Sequence, residues 1–146
     1  MKTRTIIALL ALALGAGACS SETITHDASK LPEKARNVIS RNFTSAISLV
    51  EEETTGLGQK EYEVTLTDGS EISFTSSGEW TSVDTPNNLS VPEGMVPTAI
   101  ARFVAEKHAG ANIVGIEKEK KGFEVELSNG VDIVFDAAGN FVKYDK

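Results

Sequence analysis

The chain has 146 residues, 40% of them hydrophobic and 24% charged, with a formal net charge of -7. That is a globular composition, long enough for one domain or two small ones, and it argues against disorder. With Lys2 and Arg4 set aside, twelve Lys plus Arg face twenty-one Asp plus Glu, a net of -9. A body this acidic repels phosphate backbones, and no basic patch interleaved with aromatics offsets it, so nucleic acid is excluded as a partner.

The first nineteen residues, MKTRTIIALLALALGAGAC, carry a short basic start, an apolar run from Ile6 to Leu14 and small residues leading to Cys19. This is the pattern of a signal peptide over residues 1–18. The apolar run is too short for a membrane span, which takes about 20 residues. Ala16-Gly17-Ala18 fits the small-x-small rule of ordinary signal peptidase, and Cys19 after small residues resembles a bacterial lipobox, although Ala16 stands where that motif usually has Leu, Val or Ile. Cys19 is the sole cysteine, so it makes no internal disulfide, and it sits where lipidation needs it. Lipid anchoring through Cys19, with a periplasmic or outer-membrane address, is the expectation.

Residues 19–30 then read as the lipidated Cys and a flexible polar tether. His26 and Asp27 fall in it. A histidine in a flexible segment lacks the rigid support that a catalytic or metal site needs, so they are given no role.

Beyond the tether the chain repeats itself. Leu31-Pro32 opens LPEKARNVISRNF and Val96-Pro97 opens VPTAIARFVAEKH. Each predicts a helix with proline in its first turn and one apolar stripe, Ala35, Val38, Ile39 and Phe43 in the first, Ile100, Phe103, Val104 and His108 in the second. His108 matches Phe43 and is read as a ring at the end of the stripe. AISLVEEE and ANIVGIEKE follow as first strands. In the next strands Tyr62, Val64 and Leu66 alternate with Glu61, Glu63 and Thr65, and Phe123, Val125 and Leu127 alternate with Glu124, Glu126 and Ser128. That is the period of a strand with one oily and one wet face. Asp68-Gly69 and Asn129-Gly130 predict two-residue hairpin turns. SEISF and VDIVF return, and Ser77-Gly78 and Ala138-Gly139 turn again toward Trp80 and Phe141. The expected fold is α+β, a tandem repeat of one helix followed by a four-strand antiparallel meander, with repeats at 31–84 and 96–146 joined by a Pro- and Asn-rich linker at 85–95. Units of this size are marginal alone, so each copy is expected to support the other.

From Leu31 to Lys146 the chain resembles the PepSY-like proteins of bacterial envelopes, whose fold is related to that of the beta-lactamase inhibitory protein. The carriers are the two helix-opening prolines and the stretches YEVTLTDGSEISFTSSGEW and FEVELSNGVDIVFDAAGNF. The resemblance implies a small periplasmic or lipid-anchored protein, and the wider group is associated with propeptides and peptidase inhibition. It brings no motif of functional residues.

HExxH, GxSxG, P-loop and Rossmann patterns are absent from the sequence. The carboxylates fall on strand positions that alternate with the core, so an enzyme is not expected. Oxygen-rich turns at Asp68 and Asp136 lack the acidic spacing of a calcium loop, and no metal or cofactor is expected. A carrier of apolar ligands is disfavoured because Phe43, Trp80, Phe103, Phe123, Phe135 and Phe141 are needed as core. The remaining reading is a non-catalytic binding module whose open face presents Glu61, Glu63, Thr65, Glu71 and Ser73, then Glu124, Glu126, Asp132 and Val134. With the longer TTGLGQK loop, this face would dock a basic or peptidic envelope protein, in the manner of a peptidase inhibitor or a chaperone. The alternative is an accessory or structural lipoprotein of the envelope whose acidic face is only solvated.

Overall fold

The computed structural model describes residues 21–145; the predicted signal peptide and Cys19 lie outside them. In chain order the elements are β1 (Ser21–Thr25), α1 (Glu33–Asn42), β2 (Ile47–Thr54), β3 (Lys60–Leu66), β4 (Glu71–Thr75), β5 (Trp80–Asp84), α2 (Thr98–Lys107), β6 (Ile113–Glu119), β7 (Gly122–Leu127), β8 (Asp132–Asp136) and β9 (Phe141–Asp145). Single 3-10 turns precede each helix, at Ala28–Lys30 and Glu93–Met95.

These strands form a single nine-stranded sheet in strict sequence order, β1 through β9, every neighbour antiparallel. The expected tandem repeat of helix-plus-meander units is therefore wrong: the protein is mostly sheet, with two helices over one face. The overturning feature is the β5–β6 pairing, Ser82 opposite Glu117, Val83 opposite Ile116 and Asp84 opposite Gly115. It fuses what the sequence suggested were two sheets, and one apolar cluster runs from Leu31 through Val83 and Ile116 to Phe135. The stretch read as a linker is packed into the join. Thr85 is buried, its N–H and hydroxyl both donating to the Val114 carbonyl, Val91 N–H donates to Ile113 O, and Val91 and Met95 are buried. A strand, β1, occupies part of the stretch read as a tether, and His26 Nδ1 lies 2.7 Å from Ser48 O.

Proline serves as the N-cap of both helices, Pro32 for α1 and Pro97 for α2. Ala35 and Ile39 on α1, and Ile100 and Val104 on α2, are buried; Val38, Phe43 and Phe103 pack partly buried beside them. Helix starts are held close to strand turns. A Cβ on Gly78, between β4 and β5, would stand 2.9 Å from the Ala35 nitrogen, and one on Gly139, between β8 and β9, 3.0 Å from the Ala99 Cβ.

The hairpins at Asp68-Gly69 and Asn129-Gly130 form where predicted but are one residue longer. Gly69 N–H donates to Leu66 O and Leu66 N–H to Ser70 O; Gly130 N–H donates to Leu127 O and Leu127 N–H to Val131 O. Three residues are thus enclosed, with glycine last at φ +87° and +81°, the type I turn closed by a left-handed residue. The same pair of bonds recurs at Thr55–Gln59, Thr75–Glu79 and Asp136–Asn140.

Candidate functional site: the open acidic face of the sheet

Side-chain alternation sends Val50, Val64, Leu66, Ile72, Phe74, Val83, Ile116, Val125, Ile133 and Phe135 to the helix-covered side, where all are buried. Their neighbours must then face the opposite side, and register brings them into rows. One row runs Glu51, Glu63, Ser73, Ser82, Glu117, Glu124, Val134 and Lys143. The adjacent row runs Thr65, Glu71, Asp84, Gly115, Glu126, Asp132 and Asp145. A third, toward one end, holds Glu22, Glu53, Glu61 and Thr75. Among the described strand residues, Lys143 is the sole basic side chain that alternation sends to this face.

All of the predicted carboxylates lie on it, but not as one cluster. Glu63 and Glu124 share a row four strands apart, roughly 19 Å at about 4.8 Å per strand. Glu71, Glu126 and Asp132 share the second row, and Glu61 sits in the third. Asp84 and Glu117 fill the gap between the two sets; sequence reading missed them because it placed Asp84 against a linker and Glu117 in the charged tail of a first strand. Their alternation with buried Val83 and Ile116 is the signal that identifies them.

Crowding of like charge marks the face electrostatically. Burial, with Glu71, Glu51 and Asp84 as neighbours, pushes the Glu63 carboxyl up to about 7. Glu51 is raised by burial and by Glu22 and Glu71. Glu117 is raised by burial and by Glu119, Glu124 and Asp84. The turn aspartates behave oppositely. Burial works against ionised Asp68, yet hydrogen bonds from Ser70 and Ser45 hold it below the usual range. Bonds from Asn140 and Ala138 do the same for Asp136. Both are occupied in closing turns. Among the described residues, no group of three or more His, Cys, Asp or Glu is arranged to hold a metal ion. His108 caps α2, its Nε2 3.1 Å from the Tyr144 hydroxyl, inside a ring cluster with Phe103 and Tyr144.

A continuous antiparallel sheet, covered by helices on one side and bared as a carboxylate field on the other, defines a class of small, mostly-sheet proteins with one open face. Residues 60–143 match the family described as "Putative beta-lactamase-inhibitor-like, PepSY-like", and the chain belongs to that family. Solved structures from Bacteroides agree. A candidate periplasmic protein of unknown function from Bacteroides vulgatus is 35% identical, covering 86% of this chain and 100% of its own, with a TM-score of 0.81. A second candidate periplasmic protein from that species is 31% identical over 86% of this chain and 98% of its own, TM-score 0.78. A candidate calcium-regulated periplasmic protein from Bacteroides thetaiotaomicron is 32% identical over 86% and 97%, TM-score 0.79. A search of curated proteins finds no significant match.

Proposed function

We propose that this protein is a non-catalytic binding module of the bacterial envelope, which holds a cationic, peptidic partner against its open acidic face. The observation that carries the reading is Glu63, half-buried among Glu71, Glu51 and Asp84: burial first and these carboxylates second lift it to about 7, and an incoming cation would relieve the repulsion part of that cost. The periplasmic names of the Bacteroides relatives support the address, and lipidation of Cys19 would tether the module to a membrane. The inhibitor-like family description, with the association of the wider PepSY group with peptidase inhibition, makes an envelope hydrolase such as a peptidase one class of partner to look for; a client polypeptide is another.

Affinity capture from envelope extract tests this, with the protein as bait beside a Glu124→Lys/Glu126→Lys control of matched thermal stability. The expected result is a basic protein retained by the bait, released by salt and lost by the control. Identical background from both moves the assignment to an accessory lipoprotein with a merely solvated face. Repeating the capture with calcium present addresses the calcium-regulated relative, since a divalent cation that neutralises the face should compete with the partner. Cys19→Ala protein that stays with membranes, or a chain that takes up no labelled palmitate, would remove the anchor from the proposal.

A further inference from the structure

Strands β5 and β9 end equivalent stretches of the chain, Trp80-Thr81-Ser82-Val83-Asp84 and Phe141-Val142-Lys143-Tyr144-Asp145. Each follows the same three-residue turn and joins the preceding strand through the same irregularity, between Ser73 and Phe74 in one case and Val134 and Phe135 in the other. Their outer edges differ. That of β5 is taken by β6: Val83 is fully buried opposite Ile116, and the Lys118 ammonium stands 3.7 Å from the centre of the Trp80 ring. Next to β9 the described residues supply no strand. Tyr144, at the position of Val83, is 46% exposed, and Phe141, at the position of Trp80, is 41% exposed.

The aromatic side chains beside this edge are already ordered by one another. Phe141 stacks on Phe103 with centroids 5.0 Å apart and planes within 7°, and Tyr144 lies 5.0 Å from Phe141 and edge-on to His108 at 5.6 Å. Lys143 is turned to the open face, 3.3 Å from Asp145, where it limits indiscriminate edge pairing.

We propose that the outer edge of β9 is a second binding site, which takes an extended segment of a partner polypeptide as a tenth, antiparallel strand. The β5–β6 junction supplies the chemistry. An apolar side chain belongs opposite Tyr144, as Ile116 lies opposite Val83, and a Lys or Arg two residues further on belongs over Phe141, as Lys118 lies over Trp80. Main-chain bonding gives the strand its hold, and the apolar-x-cation spacing gives it selectivity. A foreign segment with that spacing fits better than a second copy of this chain: of the copy's edge strands among the described residues, β1 offers Glu22 and no cation and β9 turns its Lys143 to the open face, and two chains of net charge -7 repel. This site is separate from the acidic face and does not depend on it.

The probe is a synthetic peptide of residues 112–120, NIVGIEKEK, which reproduces β6. Titrated into the intact protein, it should bind saturably and slow hydrogen exchange of the amides at 141–145 at least about tenfold. Tyr144→Glu should weaken binding at least about tenfold, and the peptide's Lys118→Glu version should bind several-fold more weakly. Ile24→Glu on the opposite edge and Glu124→Lys/Glu126→Lys on the open face should leave binding in place. No saturation by about 1 mM peptide, protection appearing at β1 instead of β9, or protection of β9 by the protein alone as its concentration rises would each overturn the proposal. Exchange on the unsubstituted protein decides the matter even if Tyr144→Glu fails to fold.

Discussion

The two faces of this sheet are made by the same strands and obey opposite rules. On the helix-covered side Phe74 and Phe135 are 1% exposed, and Val64, Ile72, Val125 and Ile133 are fully buried. On the other side, one residue along in each strand, stand Glu63, Ser73, Glu124 and Val134. The first face lowers free energy by removing apolar area from water. The second raises it by half-burying carboxylates and setting like charges side by side, and Glu63 reports both costs. Apolar burial and crowded charge are thus divided between the two sides of a strand's side-chain alternation.

Breaking the buried face should have the largest effect. Phe135→Ala is expected to cost about 3–5 kcal/mol, read as a drop in denaturation midpoint, with Phe74→Ala similar; a loss below about 1 kcal/mol would mean the two halves do not share one core. Substitution on the open face should act in the opposite direction. Because Glu63 is raised in the folded protein relative to an ordinary glutamate near 4.5, the unfolded chain gives up the proton more readily. The stabilising difference is complete below about 4.5, and it is lost as pH rises through about 7. The protein should therefore gain stability on acidification across that window, and Glu63→Gln should flatten the profile. At pH 8 the substitution should stabilise by about 1–2 kcal/mol once solvent screening is allowed for. A Glu63→Gln protein with an unchanged profile would show that neither burial nor the neighbouring carboxylates perturb Glu63 in the folded protein. The smallest effect belongs to Lys118, whose ammonium lies over Trp80 and whose pKa burial lowers. Lys118→Ala should cost about 0.5–1 kcal/mol, detectable by careful thermal melts.

Much of this division is legible in the sequence. Alternation of Tyr62, Val64 and Leu66 with Glu61, Glu63 and Thr65 assigns both faces of β3 without a structure, and the Asp-Gly and Asn-Gly pairs locate their hairpins. What periodicity does not carry is which strands meet across a long connection. The β5–β6 pairing depends on Thr85, Val91 and Met95 packing into the join, and a stretch rich in Pro and Asn looks like spacer until its few apolar residues are seen to be buried. For that reason periodicity alone suggests two sheets where there is one, and it does not single out Asp84 and Glu117 at the join. Strand β1 was illegible for a related cause: SETIT is polar and exposed, and main-chain pairing to β2 is what makes it a strand.

Because the order of strands in space is their order in the chain, every strand's partners are its neighbours in sequence, and five of the connections close with the same short turn. Such a sheet has low contact order and needs few long loops to close before its contacts form. During synthesis each strand emerges beside a partner that is already made, so the sheet can grow by accretion from its first hairpin, and β9 is the last strand to arrive.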